Sequence, residues 1–219
     1  MKILKIKLFQ EAVCYKKPFA FKVSETYPLP PYSTVIGMMH KILDAKSGEY
    51  FPMDISIQGD YENIFNNYQT LRTYKKNEVT TMPRNVNMLY NVNLMLHIKA
   101  EDYVIDKIYN NILSGSTALI LGRNEDFARL DEIKYVENTS YKKEKELKYN
   151  AYIKTDDGFY DEDISGINYR LNTIYKIDKN NLRKWEKVDV KYIEKGTSIG
   201  PKVLCDDDGD IIVFKGNGE

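Results

Sequence analysis

One polar stretch of the sequence concentrates basic and aromatic side chains that could bind a nucleic acid. Between Thr70 and Tyr90 a single acidic residue, Glu78, stands among four basic ones, which are Arg72, Lys75, Lys76 and Arg84. Tyr74 adds an aromatic ring, and such rings stack on unpaired bases with little dependence on base identity. The stretch is therefore a candidate RNA-binding segment, with an ordinary scatter of surface charge as the alternative.

A second candidate is the proline-rich segment from Tyr27 to Gly37, which precedes a predicted helix. Its prolines stiffen the chain, and the free backbone N–H groups of a helix start can hold a phosphate. The hydroxyls of Ser33 and Thr34 could cap the helix or add to such a site. The alternative is that these residues only begin a helix and that Gly37 allows close helix packing.

A third candidate is the pair Gly122 and Arg123, which follows the short apolar segment Leu119 to Leu121. Glycine lets a backbone approach closely, and a guanidinium can fork onto a phosphate or stack on a base. The spacing does not match the G-x-x-x-x-G-K-[ST] pattern of a P-loop. The alternative is a turn in which Arg123 pairs with Glu125 or Asp126 on the surface.

Residues suited to catalysis or metal binding are few. His40 and His97 are the two histidines of the chain and the candidate general bases of a ribonuclease. His40 falls away from the apolar stripe of its helix and His97 on the polar face of a strand, so both are predicted to be solvated. The run from Asp206 to Asp210 does not fit a calcium loop and predicts a hairpin turn through Asp208 and Gly209. No metal and no cofactor are expected.

The composition is that of an ordinary soluble protein. The chain has 219 residues, of which 42% are hydrophobic, enough for one sizeable domain or one domain with a smaller appendage. Its 32 basic residues balance 32 acidic ones, so net charge gives no support to nucleic-acid binding. Cys14 and Cys205 form no C-x-x-C pair, and neither an export signal nor a membrane-spanning run is present. We expect a cytoplasmic protein without membrane association.

The pattern of apolar residues predicts six elements that position these groups. A period of two indicates strands, and a period near 3.6 indicates helices. The predicted order is a strand over Ile3 to Phe9, a helix from Ser33 or Thr34 to about Lys46, an interrupted strand over Asp54 to Gln58 and Phe65 to Tyr74, a strand over Val86 to Ile98, a helix over Glu101 to Leu113 and a strand over Ala118 to Leu121.

This order predicts the α+β fold class, as a ferredoxin-like or RRM-type βαββαβ domain over residues 1–140. Two helices would cover one face of a four-stranded antiparallel sheet and leave the other face available for a ligand. The segment Arg72 to Asn87 is longer than a hairpin needs, so we expect a projecting thumb at about residues 70–90. Residues 141–219 predict a β-rich C-terminal extension, with strands over Tyr149 to Thr155, Ile167 to Ile177 and Val188 to Ile193.

Three stretches together resemble the CRISPR-associated Cas-five family of the RAMP superfamily, particularly its type I-B form. They are the Tyr27 to Gly37 segment, the Leu121 to Asp126 turn and a late hairpin from Val203 to Phe214. With the fold order between them, the resemblance covers nearly the whole chain. It implies an RNA-binding subunit of the Cascade ribonucleoprotein, which defends the cell against foreign DNA.

By this resemblance the subunit holds the 5′ handle of the CRISPR RNA (crRNA). It also caps the filament of repeated Cascade backbone subunits, beside the large subunit. The thumb corresponds to Arg72 to Asn87 and the glycine-turn contact to Gly122 and Arg123. Target sequence would be read by base pairing with the guide, as in other guide-directed effectors. A non-catalytic subunit is expected.

Two other functions stay open at this point. One branch of the family cleaves repeat RNA with a Tyr, Lys and His set, so a metal-independent endoribonuclease is the first alternative. A stand-alone ferredoxin-like interaction module is the second, and the basic segment argues against it. Repeat-derived RNA carried or selected by the purified chain would separate these functions.

Overall fold

The computed structural model describes residues 1–18, 20, 23–154, 164–200 and 202–214 of the chain. The helices in these residues are α1 Tyr32–Ile42 and α2 Asp102–Leu113. The strands are β1 Lys2–Val13, β2 Val23–Ser24, β3 Asp54–Asp60, β4 Asn63–Lys75, β5 Glu78–Ala100, β6 Arg129–Val136, β7 Ser140–Lys142, β8 Lys145–Glu146, β9 Asn150–Lys154, β10 Ile167–Ile177, β11 Arg183–Ile193, β12 Ser198–Ile199, β13 Val203–Cys205 and β14 Ile211–Ile212. Neither of the two described helices has the length and apolar character that a membrane crossing requires.

Nine of the described strands form one sheet, whose main path is β10-β11-β9-β3-β5-β1-β6. Strands β2 and β4 also pair with β5. Strand β1 lies between β5 and β6, antiparallel to both, with Leu4 opposite Ile98 on one side and Tyr135 on the other. The predicted first strand is confirmed and extends to Val13.

Both helices pack on one face of this sheet and enclose the main core. Successive side chains of a strand point to opposite faces, so alternate residues of β1 are buried beneath the helices. Asn111 of α2 donates a hydrogen bond from Nδ2 to the carbonyl of Ile42 at 2.7 Å, which links the two helices. Buried residues of this core include Leu4, Ile6 and Leu8 of β1, Val35 and Met39 of α1, and Val104, Ile105 and Ile108 of α2.

Helix α1 begins two or three residues earlier than a Ser33 or Thr34 cap would place it. It starts at Tyr32, with Pro31 in the N-cap position and no side-chain cap, so the predicted capping is wrong. Pro31 has φ −66° and ψ 153°, and its carbonyl accepts the N–H of Thr34 at 2.9 Å. Proline fixes its own φ near −65°, which sets the helix start without a capping side chain.

The bounds of α2 agree with the prediction better than the C-terminal end of α1 does. Helix α1 ends at Ile42, before the predicted end near Lys46 to Gly48, because Asp44 has a left-handed φ of 56° that cannot continue a right-handed helix. Helix α2 is confirmed to within one residue, with Glu101 in its N-cap position.

Strand β5 carries an interrupted partner strand, as predicted. Strand β3 pairs antiparallel with one half of β5, Ile57 opposite Leu96, and β4 pairs with the other half, Tyr68 opposite Asn85. The interruption lies beside Asn91, which has a positive φ of 50°. Strand β4 and the first half of β5 therefore form a long antiparallel ribbon over residues 63–90, which we call the first hairpin.

The predicted strand over Ala118 to Leu121 is wrong. This segment makes an isolated bridge between Ile120 and Phe127 and folds back, with the Ala128 N–H donating to the Leu119 carbonyl at 2.9 Å. The strand that follows α2 in the sheet is β6, which pairs with β1. Because β6 lies at the sheet edge and is mostly half-buried, it has a weaker apolar signal than the short run before it.

The strands after residue 141 continue the same sheet. Strands β9, β10 and β11 match the predicted strands, although β11 begins earlier, at Arg183, and Thr155 lies outside the described residues. Strand β9 joins the sheet by pairing with β3, Gln58 opposite Ala151. Strands β10 and β11 form a further antiparallel ribbon over residues 167–193, which we call the second hairpin.

The sheet face opposite the helices is covered in part by the C-terminal segment, which we define as residues 203–214. The Val213 N–H donates to Ser56 Oγ at 3.0 Å, and Gln58 Nε2 donates to the Ile211 carbonyl. The expectation that this face stays available for a ligand is therefore wrong over this part of the sheet. The covering residues come from far along the chain, so local sequence patterns give no sign of them.

Candidate nucleic-acid interface

The first hairpin carries four of the nine predicted RNA-binding residues at its outer end. Its register runs from Asn63 opposite Tyr90 to Lys75 opposite Glu78. At about 3.4 Å per residue, β4 extends roughly 40 Å. Nearly all of its residues are exposed. The hairpin places Arg72, Tyr74, Lys75 and Lys76 together at one end of the molecule.

One face of the first hairpin combines exposed rings with a guanidinium. Tyr68, Arg72 and Tyr74 are an even number of residues apart on β4 and therefore point to the same face. Tyr68 is 71% exposed and Tyr74 is 72% exposed. Such rings can stack on unpaired bases while the basic groups contact phosphates. Tyr68 was not among the predicted residues, although its even spacing from Tyr74 could have revealed it.

The lysines at the outer end are weakly engaged. Lys75 Nζ lies 3.9 Å from Glu78 Oε2, and both side chains are more than 60% exposed. An ion pair in solvent contributes little to stability, so a phosphate could replace Glu78 at small cost. Lys76 lies in the turn itself and is exposed. Both lysines are therefore placed to contact a polyanion.

Arg84 is not brought together with the other basic residues of the first hairpin. It pairs across from Gln69 and is half-buried. Its Nη2 donates to the carbonyl of Ala20 at 3.3 Å, so it holds the loop before β2 against the hairpin.

The turn at Gly122 and Arg123 is built around a buried carboxylate, that of Asp126. Asp126 Oδ2 accepts the N–H of Arg123 at 2.8 Å and the N–H of Cys14 at 3.2 Å. Gly122 has φ 122°, and a Cβ there would lie 2.6 Å from Asp126 Oδ2 and 2.9 Å from Val13 Cγ2. Glycine is required because any side chain would be strained and would displace the carboxylate.

Arg123 braces the base of the first hairpin. Its Nη2 lies 2.7 Å from Asp126 Oδ1, and its Nη1 lies 3.1 Å from Glu125 Oε1. The same guanidinium donates to Gln69 Oε1 at 3.1 Å and lies 3.3 Å from Met88 Sδ. Burial opposes the charge, but the bonds to Asp126 outweigh it and raise the pKa of Arg123. Pairing with Glu125 and Asp126 is present, with Asp126 buried, and a contact of Arg123 with RNA stays a prediction.

Ser33 and Thr34 lie half-buried in the first turn of α1. The neighbouring Tyr32 ring lies 6.4 Å from the ring of Tyr152, whose hydroxyl donates to the Leu29 carbonyl at 2.9 Å. These contacts anchor the helix start against β9, whereas the first hairpin extends from β5. The structure therefore does not bring Ser33 and Thr34 together with the outer end of the hairpin.

Both histidines take part in structural hydrogen bonds. His40 is half-buried, and its Nε2 accepts the Phe51 N–H at 2.9 Å. The predicted solvation of His97 is wrong, because its side chain is 0% exposed and Nε2 lies 3.1 Å from Asp206 Oδ2. Burial lowers the pKa of each histidine. On the polar face of β5, His97 is buried against the Asp206 carboxylate of the C-terminal segment, whereas Asn93 stays exposed.

An ion cluster fastens the C-terminal segment to the sheet, and its buried centre, Lys5, was not among the predicted site residues. Lys5 Nζ lies 2.6, 2.7 and 2.6 Å from carboxylate oxygens of Asp206, Asp208 and Asp210. We call these four residues the carboxylate clamp. The three carboxylates could by type hold a cation, but the Lys5 ammonium already lies between them. A cation would have to displace it.

The predicted hairpin turn through Asp208 and Gly209 is confirmed. Gly209 has φ 74°, and the Asp206 N–H donates to the Asp210 carbonyl at 2.9 Å. Hydrogen bonds from Lys134 and Lys5 lower the pKa of Asp208 to about 2. The pKa values of Asp206 and Asp210 are also lowered, because their hydrogen bonds and nearby cations outweigh burial.

Comparison with known proteins identifies relatives of this fold. Residues 3–184 match the family model described as CRISPR-associated protein (Cas_Cas5). A solved chain of a CRISPR RNA-guided surveillance complex is 13% identical, with a TM-score of 0.61 over 90% of this chain and 91% of that chain. A CRISPR protein from Archaeoglobus fulgidus is 11% identical, with a TM-score of 0.52 over 97% and 98% of the two chains. Curated protein sequences give no match.

The molecule is thus a mixed α+β protein with a long basic and aromatic hairpin, and its fold is shared with solved CRISPR proteins. The chain belongs to the CRISPR-associated Cas5 family, since the family model covers most of its length. The resemblance drawn from three sequence segments is confirmed at this level.

Proposed function

We propose that this protein is a non-catalytic subunit of a type I CRISPR surveillance complex, of the I-B form, which binds the 5′ handle of crRNA. The observation that carries the proposal is the first hairpin, where Tyr68, Arg72 and Tyr74 share an exposed face beside Lys75. Single-stranded RNA is generally held by stacked bases and basic contacts to the backbone. Family membership supports crRNA as the strand that is bound.

The order of the central strands supports a ferredoxin-like core of the RAMP type. Strands β6, β1, β5 and β3 are adjacent in that order, with α1 between β1 and β3 and α2 between β5 and β6 in sequence. RNA-recognition domains of this type stack bases on the open face of the sheet. Here the C-terminal segment covers part of that face, which favours the first hairpin as the RNA contact.

In this proposal the subunit caps one end of the filament of repeated backbone subunits and lies beside the large subunit, in the cytoplasm. The likeness to a chain of a CRISPR RNA-guided surveillance complex, over 91% of that chain, supports such a place. Base pairing with the guide would read the target. The protein's task would be to hold the handle.

The histidines favour the non-catalytic role over the endoribonuclease alternative. Cleavage next to a 2′-hydroxyl needs a positioned base and a positioned acid. A proton on His40 Nε2 would break the hydrogen bond from Phe51, and His97 lies buried beneath the C-terminal segment. Complete repeat RNA should stay uncut by the purified protein, with or without magnesium. Specific cleavage would favour the endoribonuclease.

Sequencing of RNA that copurifies with the tagged protein tests handle binding. We expect crRNAs that share one 5′ handle, and we expect their loss when Tyr68 and Tyr74 are both replaced by alanine. Tyr103→Ala is the matched control, because it removes a tyrosine of α2 that is 64% exposed. Recovery of unrelated RNA, or equal recovery with the double variant and the control, would contradict the proposal.

A further inference from the structure

The second hairpin ends in an ordered turn. Its strands pair as far as Ile177 opposite Arg183. Beyond that pair, Asp178 Oδ1 accepts the N–H groups of Asn180 at 2.8 Å and Leu182 at 2.9 Å. These bonds engage the Asp178 carboxylate and hold the turn in one shape. The outer end of the hairpin is therefore a defined surface.

An aromatic pair lies on one face of this outer end. Tyr175 and Trp185 are directly opposite each other, with ring centroids 5.1 Å apart and ring planes at 62°. The guanidinium carbon of Arg183 lies 4.6 Å from the centre of the Tyr175 ring. Tyr175 is 42% exposed. The cation and the two rings stabilise one another and leave ring surface open for stacking.

The second hairpin has a net positive charge. Its three acidic residues are engaged, Glu186 with Lys176 at 2.7 Å, Asp189 with Arg170 at 3.7 Å, and the third in the turn. Lys187 is exposed and has no acidic partner among the described residues. The seven basic residues over 167–193 are Arg170, Lys176, Lys179, Arg183, Lys184, Lys187 and Lys191.

The alternation of side chains along β11 places cations on both sides of the tryptophan. Arg183, Trp185 and Lys187 point to one face of the strand, and Lys184 points to the other. The stripe from Arg183 to Lys187 is about 14 Å long. An aromatic platform flanked by cations is the arrangement that binds unpaired bases and their phosphates. Rings and cations that alternate at this spacing match the alternation of bases and phosphates along a single strand, which favours a nucleic acid over an acidic protein.

We propose that this stripe, with Tyr175, is a second binding site for single-stranded nucleic acid, separate from the first hairpin. An unpaired base stacks on the Tyr175 and Trp185 pair, and Arg183 and Lys187 contact the flanking phosphates. The site goes beyond handle binding and does not depend on it. RNA and DNA offer the same chemistry here, and the titrations below distinguish them.

Trp185 is the one tryptophan of the chain, so its fluorescence reports on this site. We expect oligo(U) or oligo(dT), added to the full-length protein, to quench this fluorescence saturably. Polyglutamate, an anion without bases, should leave it unchanged. The strand that saturates at the lower concentration identifies the ligand. Absence of quenching by both strands, or equal quenching by polyglutamate, would overturn the proposal.

Two lysines on opposite faces of β11 provide a matched pair of variants. Lys187→Glu should weaken the quenching interaction about tenfold and lower the slope of log K against log salt by about 0.7, the value for one phosphate contact on a single strand. Lys184→Glu makes the same charge change on the other face and should have a much smaller effect. Equal losses of affinity in the two variants would overturn the proposed site.

The first hairpin serves as the control that separates the two proposals. A variant with Lys75→Glu and Lys76→Glu should bind the handle about tenfold more weakly but keep the quenching of Trp185. Handle binding that survives without any quenching of Trp185 would overturn the second site alone. Quenching of Trp185 in an unmodified protein that fails to bind the handle would leave the second site supported and contradict the proposed function.

Discussion

Lysines in two regions of this molecule have opposite surroundings. In the carboxylate clamp, Lys5 is 0% exposed and lies within 2.7 Å of three carboxylates. At the outer end of the first hairpin, Lys75 is 64% exposed and its nearest carboxylate, on Glu78, is 3.9 Å away. The first arrangement uses charge to hold the chain together. The second leaves charge available to a ligand.

The difference shows why counts of charged residues predict function poorly. An exposed ion pair contributes about 0 to 1 kcal/mol, whereas loss of one partner from a buried cluster costs about 3 to 5 kcal/mol. The same residue type is therefore structural in β1 and available for binding in β4. Burial, which the sequence does not state directly, determines which of the two applies.

Lys5→Met should have the largest effect, because it keeps the length of the side chain but leaves three carboxylates without their central cation. We expect the free energy of unfolding to fall by about 3 to 5 kcal/mol in urea titrations. Lys7→Met is the matched control on the same strand, since Lys7 is 34% exposed and, among the described residues, forms an ion pair with Glu132 alone. Its cost should stay below about 1 kcal/mol. Equal losses of unfolding free energy in the two variants would refute the distinction between buried and exposed lysines.

Arg123→Ala tests whether the charge of Arg123 is structural, like that of Lys5, or available to RNA, like that of Lys75. It leaves the buried Asp126 with two backbone N–H donors, so we expect a loss of about 2 kcal/mol in stability. Because the guanidinium braces Gln69, handle affinity per folded molecule should fall only slightly. A strong loss of affinity at unchanged thermal stability would instead assign Arg123 a direct RNA contact.

Mild acid should lower the stability of the protein by a smaller amount, because His97, which is buried beside the carboxylate clamp, becomes protonated. Burial lowers the pKa of His97 below its unfolded value of about 6.5, so its contribution to stability is present above that pH and is lost as pH falls below it. The carboxylates facing it have lowered pKa values and stay ionised until below about pH 4. The free energy of unfolding should therefore fall as pH is lowered from 7 to 5.5.

His97→Gln should flatten this dependence, as measured by urea titration at each pH. A residual slope is expected from His40, whose pKa burial also lowers. An identical pH dependence in the variant and the unmodified protein would show that His97 is not the titrating group.

The sequence predicted the elements better than it predicted their surroundings. The strongly periodic segments at Ile3 to Phe9, Val86 to Ile98 and Glu101 to Leu113 form the expected strand, strand and helix. The fourth strand was misplaced because β6, at the sheet edge, has a weaker apolar pattern than the run at Ala118 to Leu121. Local periodicity identifies an element where one face is buried, and it is weak at edges.

The site was predictable where it is local and unpredictable where it depends on distant segments. The outer end of the first hairpin follows from a run of basic and aromatic residues on adjacent strands. The burial of His97 depends on Asp206, more than a hundred residues away. The engagement of Arg123 with Gln69 likewise joins distant segments. No pattern within either segment indicates the other.

The most direct test of this account measures binding of a 5′ handle RNA by a variant with Lys75→Glu and Lys76→Glu, over a range of salt concentrations. We predict affinity lower by about tenfold and a salt slope lower by about 1.4, for two lost phosphate contacts. The free energy of unfolding should stay within about 0.5 kcal/mol of the unmodified protein. Reversal of Lys41 and Lys107, exposed on the helices, is the matched control. Unchanged affinity and slope in an intact fold would contradict the account.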